Sequence, residues 1–282
     1  MRYPFFGVSS RVSGVGFNVT KALTILGNSV NLLSLIGKDS ASQLVGISLK
    51  NDHMTGDYVL SLLDQTPQSV ILYDQDGRRQ IHVDLKDIQE RIYPEEFFER
   101  ALWGCSLAIL CNINFSRPFL KKSKQRGIRV ASDVHVISDL DDTYNRDFME
   151  MADILFMSDE RLPCSPEDWV KRIQNRFGAE IIVVGLGAEG ALLAARSDHF
   201  MERLPAVTTR PIVNTIGAGD ALFSCFLHDY VRNRDPYDAI RKAIYFASYK
   251  IGTSGAAEGF LNDQELEKLF KESASIPKSS QP

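Results

Sequence analysis

Several features that would assign the chain to a specialised class of protein are missing from its sequence. No apolar run reaches the roughly 18 residues that a membrane-spanning helix needs, and residues 1–4 show no signal-peptide pattern. No basic run suggests nucleic acid as a partner, because residues 121–126 have the pattern of a solvated helix face. No internal repeat is found. These absences argue against a membrane protein, a nucleic-acid-binding protein and a repeat array.

Cysteine is scarce, with only four in 282 residues, and the four show no metal-ligand spacing. Three of them, Cys105, Cys111 and Cys225, lie among apolar residues, which predicts buried reduced thiols. A disulfide scaffold and a structural zinc site are therefore not expected. A reducing cytoplasm is the simplest compartment for such a protein.

The composition that remains is that of an ordinary globular protein, with 44% hydrophobic residues, 24% charged residues and a formal net charge of -4. The length is close to the upper limit of about 250–300 residues for a single hydrophobic core. We therefore predict one large domain over residues 1–272, with a small appendage at about residues 66–85. The polar residues 273–282 are expected to form a disordered tail.

Short apolar segments alternate along the chain with segments of helical periodicity. Strands are predicted at residues 30–36, 107–111, 128–132, 154–157 and 181–184. Helices are predicted at residues 19–26, 42–51, 95–102, 118–126, 167–177 and 238–251, and from residue 221 onward. This alternation indicates an α/β fold in which helices cover both faces of a parallel sheet.

A predicted hairpin interrupts this alternation. Two strands, at residues 69–73 and 80–84, flank the turn sequence Asp-Gln-Asp-Gly at residues 74–77. In the second strand, the apolar residues Ile81 and Val83 alternate with polar residues, which suits a sheet that is half exposed. We interpret the hairpin as a small lid or as an oligomer contact.

A loop of small residues followed by a helical pattern lies at residues 215–220, Thr-Ile-Gly-Ala-Gly-Asp. Such a loop offers backbone N–H groups to an anion at the positive end of the helix dipole. Asp220, at the predicted helix start, can cap the helix or accept a proton from an attacking hydroxyl beside a bound phosphate. Capping does not explain why Gly217, Ala218 and Gly219 all lack bulk, because a cap needs no close approach by a ligand.

A second glycine-rich loop lies near the start of the chain. It contains Gly14, Gly16 and Asn18 and precedes the helix predicted from residue 19. The side-chain amide of Asn18 suits hydroxyl groups because it both donates and accepts hydrogen bonds. The alternative is that Asn18 caps the helix that follows.

A third loop matches the pattern Gly-x-Gly-x-x-Gly after a predicted strand, at residues 185–190. This pattern is typical of dinucleotide-binding sites when a helix follows it. Residues 191–195 also fit a strand, in which case the loop would be a hairpin turn. The sequence leaves both interpretations open.

The first two of these loops resemble the two signatures of the ribokinase-like (PfkB) carbohydrate kinases. Residues 215–220 match the second signature, usually Asp-Thr-x-Gly-Ala-Gly-Asp, with Asn214 in place of its first Asp. Residues 13–18 resemble the first signature, Gly-Gly-x-x-x-Asn, with Ser13 in place of its first Gly. The resemblance implies a three-layer ribokinase-like α/β fold with a mostly parallel central sheet, helices on both faces and a small β lid.

The resemblance also implies an activity, namely ATP-dependent phosphorylation of a hydroxyl group on a sugar or nucleoside. Asp220 would be the general base, and the N–H groups of Gly217, Ala218 and Gly219 would form an anion hole for the transferred phosphoryl group. The sugar-binding residues that the family implies are Gly14, Gly16 and Asn18. The implied nucleotide-binding residues are Gly185, Gly187, Gly190, Thr215 and Gly255.

Cofactors and partners follow from the same resemblance. Mg²⁺ is expected because it accompanies ATP, and K⁺ is a further candidate because residues 252–259 resemble the family's adenine- and monovalent-cation-binding segment. The family's lid implies a homodimer that forms through the hairpin. The expected partners are thus a sugar or nucleoside and ATP, whereas nucleic acid and membranes are not expected.

The chain departs from the family pattern at several positions. No Asp or Glu precedes Ser13, so either the sequence is short at its start or the substrate is held without the family's usual sugar-binding Asp. The family's Asn-x-x-Glu motif, which helps to order Mg²⁺, is replaced by Ser-Asp-Glu-Arg, which leaves Glu160 or Asp159 as the candidate near the metal. Asp133 and His135 follow a predicted strand and are further candidates for the cleft.

Two rival hypotheses remain beside the kinase. A non-catalytic sugar- or nucleotide-binding protein would retain the fold without turnover, and phosphorylation of any acceptor would eliminate it. A dinucleotide-dependent oxidoreductase would rely on Gly185, Gly187 and Gly190. Failure to bind NAD(P) would remove that hypothesis.

Overall fold

Strands and helices alternate along the part of the chain that the computed structural model describes, residues 7–73 and 79–274. The strands are β1 (Ser34–Leu35), β2 (Val59–Leu60), β3 (Gln68–Tyr73), β4 (Arg79–Asp84), β5 (Leu107–Ile109), β6 (Arg129–Val136), β7 (Ile154–Ser158), β8 (Ile181–Gly185), β9 (Ala191–Ala195) and β10 (Phe200–Leu204). The helices are α1 (Val15–Ile25), α2 (Ser40–Asn51), α3 (Glu95–Leu102), α4 (Arg117–Gln125), α5 (Arg146–Met151), α6 (Pro166–Arg176), α7 (Ala218–Asn233), α8 (Pro236–Lys250) and α9 (Asp263–Ala274).

Six strands form the central sheet, in the order β10-β9-β8-β7-β6-β5. The strands β5 to β8 run parallel to one another, and β9 and β10 extend the sheet in antiparallel pairing. Because parallel strands end on the same edge, the carboxyl ends of β5 to β8 line one rim of the sheet. The predicted mostly parallel sheet is therefore confirmed.

Side chains of the central strands point alternately to two separate cores, as the two-residue period of a strand requires. In β7, Leu155 and Met157 pack into one core, while Ile154 and Phe156 pack into the other. Because both faces of the sheet are covered, β7 and β8 consist almost entirely of apolar residues. This is why these strands could be read from the sequence as short apolar runs.

Helices cover both faces of the sheet and complete the predicted three layers. Helices α3, α4, α5 and α6 bury apolar side chains on one face, among them Phe98, Phe119, Phe148 and Trp169. Helices α1, α7, α8 and α9 cover the other face. Residues 221–230 of α7 are all buried, because this helix lies against the sheet and packs on both α1 and α8.

The predicted hairpin is present as the antiparallel pair of β3 and β4, which lies outside the central sheet and pairs Ile71 with Ile81. Large apolar side chains are exposed on both strands, namely Val70, Leu72, Ile81 and Val83. The predicted turn at residues 74–77 lies outside the described residues. A second small sheet, of β1 and β2, is parallel.

The strand predicted at residues 30–36 is much shorter in the structure, where β1 comprises Ser34–Leu35. Leu32 is buried in a small core that it shares with Leu49 of α2. The apolar run therefore reflects burial of irregular backbone in addition to strand pairing, two situations that hydrophobicity alone does not distinguish.

The sequence patterns did not predict α5, α9, β2 or β10. Helix α9 has a recognisable start signal, because the Asn262 N–H donates to Glu265 Oε2 at 2.9 Å and the Glu265 N–H donates to Asn262 Oδ1 at 3.0 Å. This reciprocal pair is a capping box. Because α9 ends at Ala274, the predicted tail is wrong for residues 273–274, and residues 275–282 lie outside the described part.

All four cysteines in the described part of the chain are free thiols. Cys225 is fully buried as predicted, whereas Cys105 and Cys111 are only partly buried, so the prediction of full burial does not hold for these two. Cys105 lies between α3 and β5, and Cys111 follows β5, which is the last strand at one edge of the central sheet. Within residues 7–73 and 79–274, none of the helices combines the length and the hydropathy needed to cross a bilayer.

Candidate active site

The N-termini of α1 and α7 meet beside the carboxyl ends of the parallel strands. Asn18 of α1 and Asp220 of α7 are joined directly by a hydrogen bond of 2.7 Å. Asp133, near the carboxyl end of β6, lies close enough for its charge to act on Asp220. Ligands of open α/β sheets bind at this rim, so the two glycine-rich loops meet where a site is expected.

The loop before α7 is fixed by backbone hydrogen bonds to the end of α8. The N–H groups of Val213 and Asn214 both donate to the Ile251 carbonyl, at 2.9 and 3.0 Å. The side-chain oxygen of Asn214 then accepts from the Ile216 N–H at 2.8 Å, which closes a tight turn. An Asp side chain would offer the same acceptor, so Asn214 preserves the turn of the signature.

Gly217 lies in a conformation that only glycine adopts easily. Its φ is 74°, in the left-handed region, and a Cβ atom built on it would lie 2.4 Å from the carbonyl oxygen of Ala256. The loop is thus pressed against the segment at residues 252–259. This close approach explains why residue 217 is a glycine. From the sequence, we expected the missing side chain to make room for a ligand instead.

Helix α7 begins at Ala218, three residues earlier than predicted, with Gly217 as its N-cap. Asp220 is therefore the third residue of the helix, and its carboxylate accepts a hydrogen bond from Asn18 Nδ2 instead of capping the helix. The predicted boundary was wrong because Ala218 and Gly219 were read as loop residues, although small residues also fit a first helical turn. The first N–H groups of a helix have no partner within it.

Asn18 is buried inside α1, because that helix begins at Val15 and not at residue 19 as predicted. The Asn18 N–H already donates to the Gly14 carbonyl at 2.8 Å, so the alternative that Asn18 caps the helix is wrong. Ser13 Oγ donates to Asn18 Oδ1 at 3.2 Å. This bond orients the amide so that Nδ2 faces Asp220. Ser13, which stands where the first signature has a glycine, therefore helps to position Asn18.

Gly14 and Gly16 belong to the start of α1 and not to a free loop. Gly14 is the N-cap of the helix, with a φ of 121° that favours glycine. Gly16 lies in the first turn, where an added Cβ would lie 3.7 Å from Leu32 and 4.0 Å from Cys111. A Cβ added at Gly14 would meet no heavy atom of the described residues within 4 Å, and one added at Gly16 would make only ordinary contacts, so it is the φ of Gly14 that favours glycine here.

Burial raises the pKa of the Asp220 carboxyl to about 6, from a usual value of 3.8. The hydrogen bond from Asn18 opposes this shift. The negative charge of Asp133 adds to the shift, and the charges of His135 and Lys250 oppose it. Asp220 stays partly exposed, so the carboxylate combines low solvation with access from outside.

Asp133 and His135 lie at a register shift between β6 and β7. Such irregularities in strand pairing are common next to active sites. His135 has a φ of 57°, and its N–H donates to Asp133 Oδ1 at 2.8 Å. Asp133 is buried. Burial, together with the charges of Asp220 and Asp133, raises the pKa of Cys111 to about 12. These groups are therefore neighbours in one polar cluster.

The third glycine loop joins β8 to β9 as the turn of an antiparallel hairpin. The dinucleotide-binding interpretation requires a helix after the loop, so the structure contradicts the oxidoreductase hypothesis. Gly187 and Gly190 have positive φ angles of 57° and 104°, and a Cβ on Gly190 would lie 2.1 Å from the Leu204 carbonyl oxygen. Gly185 pairs with Ser158 of β7, which places the turn on the same rim.

Gly255 lies beside Arg11, a residue that the sequence patterns did not single out. Arg11 Nη1 donates to the Ser254 carbonyl at 2.7 Å and forms an ion pair with Glu258 at 2.5 Å. A Cβ on Gly255 would lie 2.3 Å from Arg11 Nη1. Arg11 thus ties the chain just before the first glycine-rich loop to the segment at residues 252–259, a contact that no local pattern could reveal.

The described residues offer few candidate ligands for a metal ion. Across the described residues, no three His, Cys, Asp or Glu side chains lie together as a metal site. Glu160 is exposed in the turn after β7, and the Asp159 N–H donates to the Gly185 carbonyl at 3.0 Å. One or two carboxylates suit Mg²⁺, which keeps several waters and takes its other ligands from substrate phosphates.

Comparison with known proteins places this architecture in a family. The sequence model described as "pfkB family carbohydrate kinase" matches residues 6–264. The chain is 25% identical to the ATP-dependent ribose-1-phosphate kinase of Halopiger xanaduensis over 256 residues, 88% of this chain and 83% of that protein. It is 31% identical to the deoxyribokinase of Salmonella typhi over 93 residues, which cover 33% of this chain and only 29% of the relative.

A solved structure shares the fold over nearly the whole chain. The structure of a microbiome-derived acarbose kinase matches with a TM-score of 0.82 and 25% sequence identity. The match covers 90% of this chain and 85% of that one. The arrangement of sheet and helices is therefore shared with a protein whose name describes a kinase.

Proposed function

The chain belongs to the pfkB family of carbohydrate kinases, and from this membership we propose that it transfers the γ-phosphoryl group of ATP to a hydroxyl group of a sugar or nucleoside. The observation that carries the proposal is the contact between Asn18 and Asp220, at 2.7 Å. It brings the substrate loop onto a carboxylate in the first turn of α7. A base and a set of helical N–H donors then lie side by side.

In the proposed reaction, the Asp220 carboxylate accepts the proton of the substrate hydroxyl while the hydroxyl oxygen attacks the γ-phosphorus of ATP. The bond between that phosphorus and the oxygen of ADP breaks. With a pKa of about 6, Asp220 is ionised at neutral pH and still close enough to the operating pH to accept a proton.

The N–H groups of Gly217, Ala218 and Gly219 form the proposed anion hole. The positive end of the α7 dipole and the free N–H groups of its first turn favour the negative charge of the transferred phosphoryl group. In the structure, the Ala218 N–H donates to the Thr215 carbonyl at 3.2 Å, a long bond that a phosphoryl oxygen would replace. One such donor is worth roughly 10²–10³ in rate in other enzymes.

We place ATP along the rim of the sheet, between the β8–β9 turn and the segment at residues 252–259. The backbone conformations at Gly187, Gly190 and Gly255 are all in the left-handed region, so the turns carry little side-chain bulk where phosphates would approach. Gly185 and Thr215 complete this set. Mg²⁺, held by the phosphates with Glu160 or Asp159, would neutralise the charge that the phosphates carry.

The substrate is proposed to lie between α1 and the end of β6. We assign Gly14 and Gly16, at the start of α1, to this substrate site, where Asn18 and Asp133 present polar atoms beside Asp220. Asp133 is our candidate for a carboxylate that binds substrate hydroxyl groups beside Asp220. A carboxylate accepts hydrogen bonds from hydroxyl groups, which suits a polyol.

We further propose that two copies of the chain associate through the β3–β4 hairpin. Val70, Leu72, Ile81 and Val83 are each about half exposed on this hairpin, at 58%, 54%, 46% and 57%. A two-stranded sheet is marginally stable alone in water. The cross-strand register places Val70 and Leu72 on one face of the hairpin and Ile81 and Val83 on the other. A second copy packed on either face would cover one of these apolar pairs, which is a stronger reason for association than isolated exposed residues would give.

The activity is tested by measuring ADP release from Mg-ATP across pentoses, hexoses, sugar phosphates and nucleosides. We expect one acceptor to stand out and Asp220→Asn to lower its kcat by about 10²–10⁴, while ATP binding, measured by calorimetry, persists. Unchanged turnover in this variant would remove Asp220 as the base. Ligand binding without ADP release for every acceptor would instead favour the non-catalytic hypothesis.

A further inference from the structure

Lys250, the last residue of α8, is completely buried beneath the first turn of α7. Its Nζ donates a hydrogen bond to the carbonyl oxygen of Ile216, the residue before Gly217. The ammonium group therefore lies directly under the backbone of the proposed anion hole. Its side chain was not singled out by any sequence pattern, because a lysine at a helix end is ordinarily a solvated surface residue.

The backbone around Lys250 holds two segments of the site at once. The carbonyl of Lys250 accepts from the Thr253 N–H at 3.1 Å and from Thr253 Oγ1 at 2.8 Å. The carbonyl of Ile251 accepts from the N–H groups of Val213 and Asn214. The end of α8 thus fixes both the loop before Gly217 and the segment at residues 252–259.

Lys250 is also one of the charged groups that surround Asp220. The others are Asp133 and His135, both on β6, and the polar side chain of Asn18 contacts Asp220 from α1. The positive charge of Lys250 favours the ionised form of Asp220, against burial and the charge of Asp133. A buried ammonium is costly unless it meets acceptors or negative charge, and here it meets both.

We infer that Lys250 is a positioning residue that supplies the proposed phosphoryl-transfer site with a built-in cation, so that turnover needs no bound monovalent cation. Carbonyl oxygens are ligands for K⁺ and acceptors for an ammonium group alike. With the ammonium of Lys250 on the Ile216 carbonyl, the loop already has the positive charge that K⁺ would bring. This replaces the expectation of a K⁺ requirement and rests on the proposed kinase function.

The first test uses the unaltered protein. Its kcat for the best acceptor is measured in chloride salts of K⁺, Na⁺ and choline at equal ionic strength, with Mg-ATP saturating. We expect the three values to agree within about twofold, because no site for a small monovalent cation has to be filled. Activation by K⁺ of more than about tenfold over choline, a factor that corresponds to about 1.4 kcal/mol, would overturn the inference.

The second test compares Lys250→Met with Arg241→Met, which removes an exposed cation from the same helix. For Lys250→Met we expect kcat to fall by about 10²-fold, the cost of a small displacement of catalytic groups, with KM for ATP changed far less. The acid limb of the pH–rate profile should also move to higher pH, because Asp220 loses a favourable charge. In Lys250→Ala, methylammonium should restore part of the activity.

A readout that needs no turnover separates this inference from the proposed function. The carboxyl pKa of Asp220, followed by carbon NMR and assigned with Asp220→Asn, should be higher in Lys250→Met than in the unaltered protein and unchanged in Arg241→Met. This shift would support the lysine's role even if no acceptor were phosphorylated. An unshifted Asp220, or full kcat in Lys250→Met, would refute it. If Lys250→Met fails to fold, the salt series on the unaltered protein still decides.

Discussion

At the scale of single residues, the site depends on the contact between Asn18 and Asp220. The two residues come from opposite ends of the sequence, and Ser13 holds the Asn18 amide in the orientation that donates to the carboxylate. The hydrogen bond from Asn18 also opposes the effect of burial on the pKa of Asp220. A residue of the first glycine-rich loop therefore lowers the pKa that burial raises.

The pH dependence of turnover tests this coupling. A general base must be deprotonated, so kcat/KM should fall as the pH drops through about 6, the pKa of Asp220. Asn18→Leu removes the donor that stabilises the carboxylate, so the acid limb should move to higher pH. Ser13→Ala, which leaves the donor in place, should move it less. Identical acid limbs in all three proteins would count against the assignment of Asp220.

Asp220 should also cost the protein stability. Its folded pKa of about 6 lies above the usual value of 3.8, so the folded state binds more protons than the unfolded state between these pH values. Stability from this group is greatest at low pH and is lost as the pH rises through that window. We expect the melting temperature of Asp220→Asn to exceed that of the unaltered protein at pH 8 and to match it near pH 4. A variant less stable at pH 8 would contradict this.

At the scale of elements, α7 and α8 form the rigid part of the site. The first turn of α7 is held by the end of α8 and by the segment at residues 252–259, while residues 221–230 are buried against the sheet. The N–H groups of the first turn are consequently fixed before any ligand arrives. Preorganised donors of this kind need no rearrangement when charge develops in the transition state.

Two glycines of this turn should respond differently to the same substitution. Gly217→Ala requires a left-handed φ and places its methyl group against the Ala256 carbonyl, so both stability and turnover should fall. At Gly219, no heavy atom of the described chain lies within 4 Å of an added Cβ beyond those of its own helical turn and neighbours. Gly219→Ala should keep or raise the melting temperature, because alanine has a helix propensity about 1 kcal/mol better than glycine. It should nevertheless lower kcat, because the added methyl group would hinder the close approach of the phosphoryl group to the first turn of α7. Full kcat in Gly219→Ala would argue against the anion hole.

An ion-pair cluster on the far side of α8 joins three helices. Lys242 is nearly buried and pairs with Asp229 of α7 at 2.9 Å, with Asp238 of α8 at 3.2 Å and with Glu267 of α9 at 2.7 Å. Removing one partner of a buried cluster leaves the others without compensation. The cluster should therefore contribute to stability without affecting the chemistry at the rim.

Lys242→Met should lower the free energy of unfolding by about 3 kcal/mol, the lower end of the range for buried pairs, because Asp238 and Glu267 are partly exposed. Urea denaturation measures the loss. Lys271→Met is the matched control, since Lys271 also lies near Glu267 but is 75% exposed, and it should cost less than about 1 kcal/mol. Equal losses in the two variants would contradict the assigned role of burial.

At the scale of the whole molecule, the hairpin of β3 and β4 is the part that the main cores leave uncovered. Among the described residues its two strands pair only with each other, and apolar side chains are exposed on both. The central sheet, in contrast, is covered on both faces and ends at the rim that carries the site. Association through the hairpin would therefore leave the two cores and the rim unchanged.

Light scattering at several concentrations tests the proposed homodimer. We expect twice the mass of one chain, and we expect Val83→Lys on the hairpin to shift the mass toward a single chain. Ile92→Lys changes an apolar residue that is 83% exposed outside the hairpin and should leave the mass unchanged. A single-chain mass in the unaltered protein, or a dimer that survives deletion of the hairpin, would refute this contact.

The sequence alone determined the class of the fold, the hairpin of β3 and β4, and the identity of the two signature loops. Apolar runs such as β7 and β8 are covered on both faces, so burial and strand pairing coincide there. The left-handed glycines and the position of Asp220 are likewise local features, which a sequence pattern can record. Boundaries were less well predicted, as at α1 and α7, because small residues fit a loop and a first helical turn equally well.

Only the tertiary structure decided how these parts act on one another. Three contacts join residues that are far apart in the chain. They are the hydrogen bond between Asn18 and Asp220, the ion pair between Arg11 and Glu258, and the hydrogen bond from the buried Lys250 to the Ile216 carbonyl. It also decided against a dinucleotide site, because β9 follows the third loop as a strand. The burial of a group and the pKa of an ionisable side chain depend on which groups become neighbours in space. Local sequence patterns do not show which residues those are.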